Sequence, residues 1–149
     1  MSCAIMPAAK VLDATRAWIG TPYRHQASLQ HVGTDCLGLL RGVWRALYGA
    51  EPEMVPAYSQ DWAEPQGDEV LLRAALRYLL PRQGGLVAGD VLLFRMREGS
   101  IAKHIGICAD AGSEPTFIHA YSGHSVTESP LSQPWQRRIA ARFAFPLGV

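Results

Sequence analysis

One cysteine stands where a nucleophile would be placed. Cys36 follows the turn-like stretch 31–35 and begins a segment, 36–48, whose apolar residues recur on one face of a helix. A thiol at a helix N-terminus experiences the positive end of the helix dipole and unpaired N–H groups, both of which favour the thiolate. The position therefore predicts a reactive thiol with a lowered pKa. The alternative is that Cys36 is a small apolar residue at a buried helix start.

A histidine suited to act as the base for this thiol occurs in the second half of the chain. His104 begins the strand-like run 104–108, which follows another strand-like run at 89–94. A catalytic cysteine needs an imidazole that takes its proton and later delivers it to the leaving amine, and a rigid strand facing the helix end would hold that imidazole in place. The alternative is a histidine with a purely structural role in the strand.

The elements that must position these two residues are helices in the first half and strands in the second. Helices are predicted over 11–19, 36–48 and 68–80, with Asp68 as the cap of the third and Pro81 as its stop. Short runs rich in β-forming residues follow at 90–96, 103–109, 116–121, 125–128 and 138–145. This order predicts an α+β fold with a mainly antiparallel sheet. A length of 149 residues favours one domain over 1–149.

Composition narrows the classes of protein that the chain could belong to. A net charge of +1 gives no basic face for nucleic acid, and no stretch approaches the roughly 20 apolar residues of a membrane span. Residues 1–10 lack a basic segment ahead of an apolar run, so we expect no signal peptide. The three cysteines, without a paired spacing, suggest neither a disulfide framework nor a zinc ribbon.

Five short motifs together resemble a known family. They occur at 20–23 (Gly-Thr-Pro-Tyr), 35–39 (Asp-Cys-Leu-Gly-Leu), 89–91 (Gly-Asp-Val), 104–107 (His-Ile-Gly-Ile) and 118–120 (Ile-His-Ala). Their order and spacing are similar to those of the NlpC family of cysteine peptidases. The insert at 26–32 makes the chain most similar to the stand-alone cell-wall peptidases of phage tails and gene transfer agents.

This resemblance implies a papain-like fold, no cofactor, and cleavage of bacterial peptidoglycan stem peptides, commonly between D-glutamate and the following diamino acid. Cys36 matches the family's nucleophile, His104 the base, and His119 the polar residue that orients the base. Tyr23 matches a tyrosine whose hydroxyl lies near the oxyanion site, and Asp35 an acidic residue near the amino group of the peptide. From the residues alone, Tyr23 is equally a turn-flanking aromatic, and Asp35 is also a helix cap.

Two histidines in the sequence could orient the base, His119 and His124. His119 lies in the apolar run 116–121, which reads as a strand able to pair beside the one that carries His104. His124 follows Ser122-Gly123 in a turn, where an imidazole is held less firmly. We therefore predict that His119, and not His124, orients the base.

Four further residues could bear on the site, and the sequence gives each of them a lesser role. The family usually has serine after the nucleophile, whereas this chain has Leu37, which places substrate preference in doubt more than activity. Cys108 is expected in the core, and a zinc site built on the cysteines and histidines lacks the paired spacings that metal sites show, so no metal is predicted. His25 and His31 are expected at the rim of the cleft or in solvent.

Three functions remain open at this stage. The first is an endopeptidase on peptidoglycan peptides, the second an amidase or acyltransferase on the same scaffold, and the third a non-catalytic structural module of a phage-like tail. A wall-cutting enzyme without a signal peptide has to leave the cytoplasm by another route. The expected location is therefore a phage-like particle, with tail hub or baseplate proteins as partners.

Overall fold

Helices and strands occur in the order that the sequence analysis predicts. The structure, a computed structural model of the chain, describes residues 4–52 and 69–148. Within these ranges the elements are α1 (Ala8–Arg16), β1 (Ser28–Leu29), β2 (Gly33–Thr34), α2 (Cys36–Tyr48), α3 (Val70–Tyr78), β3 (Leu80–Pro81), β4 (Val91–Arg95), β5 (Ala102–Cys108), β6 (Thr116–His119), β7 (Thr127–Pro130), α4 (Gln133–Arg137) and β8 (Ile139–Ala144). The predicted cap Asp68 and the third cysteine, Cys3, lie outside the described residues.

Helix α2 begins at Cys36, as predicted, because Asp35 caps it. Asp35 Oδ1 accepts a hydrogen bond from the Gly38 N–H at 2.7 Å, which satisfies one of the amide donors that a helix start leaves free. The helix ends at Gly49, whose φ of 93° is readily adopted only by glycine. The buried apolar side chains of α2 are Leu39, Val43 and Trp44.

Helix α1 lies three residues earlier than predicted at both ends. The carbonyl of Pro7 accepts the N–H groups of Lys10 and Val11, so the helix starts before the apolar run begins. After Arg16 the N–H of Trp18 bonds to the Thr15 carbonyl, a tighter turn that ends the α-helical pattern.

The sheet has six strands, and every neighbouring pair is antiparallel. Their order is β3-β8-β4-β5-β6-β7. All five predicted strands are present within two residues at each end, and β7 is the one shifted by two residues at both ends, from 125–128 to Thr127–Pro130. The shift arises because Val126 bonds to the loop after α1 instead, through the carbonyl of Thr21 and the N–H of Gly20. An α+β fold with an antiparallel sheet is confirmed.

The two faces of the sheet bury different groups of side chains. One face packs against the helices α1, α2 and α3, and contributes Val91, Leu93, Ile105, Ile107, Ile118 and Phe143. The other face carries a smaller core made of Leu92, Phe94, Cys108, Phe117 and Leu131, with Trp135 of α4 packed against it. Strand alternation produces this division, and it places Cys108 in the core, as expected.

Three features were not predicted. The insert before α2 forms a short hairpin, β1 with β2, and the stretch before β8 forms α4. The third predicted helix, 68–80, ends at Tyr78, and Leu80–Pro81 forms β3, which pairs with β8. Within the described ranges we find no helix with the length and apolar character needed to cross a membrane.

Candidate active site

The Cys36 sulfur lies against the strand that carries His104. Cys36 is the first residue of α2 and is half-buried. Its Sγ–H donates to the carbonyl of Lys103 at 3.7 Å. The N–H groups of Ile105 and Leu37 also act on the sulfur electrostatically. Packing of α2 on β5 thus brings Cys36 next to Lys103, the residue before His104, although more than sixty positions separate them in the chain.

Asp35 joins the insert to the start of α2. Besides capping the helix through Oδ1, its Oδ2 accepts the Gln26 N–H at 2.7 Å. The His25 Nδ1 lies 3.8 Å from the same oxygen, and the Asp35 residue is only 3% exposed. The capping interpretation of Asp35 is therefore observed, whereas its contact with a substrate amino group stays a prediction.

Glycine at position 38 permits the close approach of the insert. A Cβ atom at Gly38 would lie 1.9 Å from the Ala27 carbonyl oxygen. With no side chain there, the Ser28 hydroxyl donates to the Gly38 carbonyl at 2.6 Å and holds the hairpin against α2. The insert is thus part of the scaffold around Cys36.

Leu37 lines a cavity between α2 and α3. The cavity is open to solvent on one side and has a volume of about 110 Å³. Its lining is mostly apolar and includes Leu37, Leu40, Trp44, Leu71 and Leu79. Leu37, at the position after Cys36 where the resemblance implies serine, therefore has a packing role, since its side chain covers apolar surface.

His104 and His119 form a hydrogen-bonded pair. The distance from His104 Nε2 to His119 Nδ1 is 2.9 Å, and the two side chains come from the adjacent strands β5 and β6. His119 Nε2 lies 3.3 Å from the Ser129 hydroxyl on β7. If His104 is to accept a proton, its Nδ1 must be free and its Nε2 must carry hydrogen, so His119 accepts at Nδ1 and donates from Nε2 to Ser129.

Burial keeps both imidazoles neutral. It lowers the pKa of His104 to about 3, with the neighbouring His119 acting in the same direction. It lowers the pKa of His119 to about 4, with a smaller contribution from His124. Both rings are therefore unprotonated at neutral pH, and an imidazolium is disfavoured unless a nearby negative charge forms.

The prediction of a lowered pKa for Cys36 is wrong. Burial raises its pKa to about 12, and the Asp35 carboxylate adds to this effect. Backbone N–H groups at Ile105 and Leu37 favour the thiolate but are outweighed. The helix dipole contributes only about 0.3–1 kcal/mol, which is small beside the cost of removing a thiolate from water. In the free protein the thiol and the imidazole are both uncharged.

Tyr23 lies beside the same helix start. It forms a parallel bridge with Thr34, two residues before Cys36, and is half-buried. Burial raises its pKa to about 12, with Cys36 and Asp35 as further causes. The phenol is therefore protonated at neutral pH and available as a hydrogen-bond donor. The structure brings Tyr23 close to Asp35 and Cys36, and the role of its hydroxyl at an oxyanion stays a prediction.

The other histidines lie outside this cluster. His124 is exposed in the turn between β6 and β7, where its N–H bonds to the Tyr121 carbonyl. His31 is exposed on the hairpin, and His25 is half-buried next to Asp35.

Two residues of the site were missed by sequence reasoning. Ser129 was placed outside any strand, and Trp135 was given no role. Ser129 and Trp135 contact the histidines only because β7 and α4 pack against them in the folded chain. The only local signal was the Pro134-Trp135 pair, since proline is favoured in the first turn of a helix.

Buried neutral histidines should make folding stability depend on pH. Both pKa values lie below the value of about 6.5 expected in the unfolded chain. The unfolded state therefore binds protons that the folded state excludes, and stability present above pH 6.5 is lost as the pH falls. Between pH 7 and pH 5 we expect a loss on the order of 2 kcal/mol for each histidine, measured by urea denaturation.

The substitution His119→Asn should remove a large part of this pH dependence. His31→Asn, at an exposed position with a φ of 67° that asparagine tolerates, is the matched control and should preserve it. An equal slope of stability against pH in the wild type and His119→Asn would contradict the prediction.

Comparison with known proteins identifies the family. Residues 20–143 match the model of the NlpC/P60 family. This match covers most of the chain, and it includes all five predicted site residues. The chain belongs to the NlpC/P60 family. No curated protein matches it.

Solved structures share its fold. The NlpC/p60 domain of the peptidoglycan hydrolase SagA has a TM-score of 0.59 and 23% identity, covering 94% of this chain and 98% of that one. An NlpC/P60 family protein from Bacillus cereus gives 0.60 at 18% identity, over 95% of this chain but 41% of that one. Ly7917, also solved with the hydrolysing product of MDP, gives 0.60 at 18% identity, over 96% of this chain and 64% of that one. The predicted papain-like fold is confirmed.

Proposed function

We propose that this chain is a cysteine endopeptidase that hydrolyses peptidoglycan stem peptides. The observation that supports it most is the position of the Cys36 sulfur, at the start of α2 and against β5, whose His104 is hydrogen-bonded to His119 on β6. Acyl transfer needs a nucleophile, a base and a group that orients the base, and these three side chains are of the right kinds. Family membership and the peptidoglycan hydrolase SagA among the similar structures supply the substrate class.

In the proposed reaction the thiol sulfur attacks the carbonyl carbon of the scissile amide. A C–S bond forms while the thiol proton passes to His104 Nδ1, which is the nitrogen not engaged by His119. The backbone N–H of Cys36 and the hydroxyl of Tyr23 are the donors for the oxyanion. The tetrahedral intermediate then collapses, the C–N bond breaks, and His104 returns the proton to the departing amine.

The remaining thioester is hydrolysed by water. His104 takes a proton from the water as its oxygen attacks, the C–S bond breaks, and the sulfur regains the proton as the carboxylic acid leaves. Because both partners start uncharged, the proton moves during attack and no thiolate is stored beforehand. His119 fixes the tautomer and ring plane of His104 throughout and stabilises the transient imidazolium.

Digestion of purified sacculi tests the proposal and separates the alternatives. Mass spectrometry of the soluble products should show stem-peptide fragments with a new amino and a new carboxyl end. Release of intact stem peptides from the glycan would identify an amidase instead. No product from a correctly folded protein would favour the non-catalytic tail module.

We also propose that the protein acts from a phage-like tail, held by a hub or baseplate protein. This proposal rests on the insert at 26–32, which forms the hairpin held against α2. Proteomics of purified particles from the host should find the chain in the tail fraction. Consistent absence of the chain from such particles would refute the location without affecting the proposed chemistry.

The orienting role of His119 gives a graded prediction. His119→Ala should reduce kcat by a factor of about ten to a thousand, because an orienting group supports proton transfer without performing it. His124→Ala is the control, since that ring lies in the exposed turn and should matter little. Steady-state kinetics on a soluble muropeptide would measure both. A harmless His119→Ala beside a damaging His124→Ala would reverse the assignment.

A further inference from the structure

The hydrogen-bonded histidines lie on the face of the sheet that α1, α2 and α3 leave uncovered. His104 faces the smaller core, with its ring 5.6 Å from the Phe94 ring, and His119 stacks on Phe117 at 4.0 Å. A Cβ at Gly106 would lie 2.6 Å from the Phe117 ring, so glycine lets that ring lie across β5. Among the described residues, α4 is the helix on this side of the sheet.

Trp135 is the α4 side chain that covers the pair. Its ring centroid lies 5.6 Å from His104 at an interplanar angle of 38°, and 5.3 Å from His119 at 80°. The same ring contacts Phe94 at 5.3 Å and Phe117 at 5.1 Å. It is itself half-buried, so one side of it adjoins solvent. Both imidazoles beneath it are nearly inaccessible, at 6% and 4% exposure.

Helix α4 is short, and specific contacts hold it in place. The Gln136 side chain donates to the carbonyl of Leu131 at 2.9 Å, and Leu131 is 1% exposed in the smaller core. The Arg138 guanidinium carbon lies 5.5 Å from the centre of the Trp135 indole. The position of the indole is thus held by contacts of α4 and of the residue that follows it, as well as by the aromatic rings beneath the indole.

We propose that Trp135 is a positioning residue that keeps water away from the His104–His119 hydrogen bond. A hydrogen bond between two neutral imidazoles is strong only where water does not compete for the same donor and acceptor. The positioning role of Trp135 rests on the proposed hydrolase function. The water-excluding role does not, because it can be measured on the free protein.

Several other groups lie close to the pair, and their effects on the pKa values of the two histidines have to be distinguished from the effect of Trp135. The neutral Cys36 thiol lies against the Lys103 carbonyl, next to His104 in the chain, and Ser129 on β7 contacts His119. The rings of Tyr121 and His124 stack on each other, and Tyr121 lies 5.9 Å from His119. The cation closest to Trp135 in these contacts is Arg138. Tyr121 also contacts both imidazoles, since its ring lies 5.5 Å from that of His104, but it is 39% exposed and therefore excludes less water than the half-buried indole.

An NMR titration of the imidazole side chains tests the proposal without substrate. In the wild type, His104 and His119 should keep the chemical shifts of neutral rings from pH 7 to pH 5, in line with the lowered pKa of each. In Trp135→Ala, water reaches the pair, and both midpoints should rise by about one pH unit or more toward 6.5. Trp135→Phe retains an aromatic cover and should stay near the wild type.

Arg138→Ala is the matched control for charge. It removes the cation from the indole but leaves the cover, so it should not move either midpoint by more than a small fraction of the Trp135→Ala shift. A folded Trp135→Ala with wild-type midpoints would overturn the proposal. So would an Arg138→Ala shift as large as that of Trp135→Ala, since the cause would then be the charge.

A second measurement applies if Trp135→Ala does not fold. Exchange with water of the imidazole N–H proton in the His104–His119 hydrogen bond should be slow enough to give an observable signal in the wild type and fast in the milder variant Trp135→Leu. Equal exchange in the two proteins would overturn the proposal. If the midpoints and exchange behave as expected but sacculi are not digested, the water-excluding role stands and the proposed hydrolase function fails.

Discussion

Replacement of Cys36 by alanine is expected to eliminate stem-peptide cleavage, with a loss in kcat of at least about a thousandfold. Without the sulfur no thioester can form, and the histidine pair alone has no nucleophile positioned beside it. Zymography and muropeptide analysis of the wild type and Cys36→Ala would measure the loss. The fold should remain intact, because the helix cap is supplied by Asp35.

The matched control is the same substitution at the second described cysteine. Cys108 is fully buried in the smaller core, and its thiol donates to the Asp110 carbonyl at 3.7 Å. Because Cys108 has no exposed surface, a substrate cannot reach its sulfur, and it is not a competing nucleophile. Cys108→Ala should cost some stability through the small cavity it leaves, while retaining cleavage. Clearing of sacculi by Cys36→Ala would refute the thiol mechanism.

The second large effect is expected from His104→Ala. Loss of the base leaves a thiol whose pKa is near 12 with no group to take its proton, so kcat should fall by about 10²–10⁴. This loss should exceed that of His119→Ala, because His104 exchanges protons with the reacting atoms and His119 acts through it. Steady-state kinetics near pH 7 would rank the two variants.

His31→Ala serves as the control, since that ring is exposed on the hairpin. Circular dichroism should first show that each variant is folded. A His104→Ala protein that retains more than about a tenth of wild-type activity would mean that another group accepts the thiol proton. The mechanism would then need a different base.

Local sequence signals account for the start of α2. An aspartate directly before a helical apolar pattern predicts a cap and therefore a helix beginning at Cys36, and the structure has that boundary. Alternation and β-forming residues predicted the strands of the sheet, which is why their order and approximate limits agree. These predictions succeed because the interactions that decide them join residues a few positions apart.

Contacts between distant residues decided what the sequence could not show. The helix-start position of Cys36 suggested a lowered pKa, but packing of α2 on β5 buries the sulfur and raises it. The predicted limits of β7 were shifted because Val126 bonds to the loop after α1. In both cases a nonlocal contact outweighed a local preference.

The chain by itself determined the kinds of chemical groups and the elements that carry them: a thiol at a helix start, and histidines on two strands. Only the tertiary structure decided how they meet, through the pairing of β5 with β6 that sets the 2.9 Å hydrogen bond between His104 and His119. It also decided their charge, because a charged group is disfavoured where it is removed from water. The residues that bury the two histidines, such as Trp135, lie far from them in the sequence.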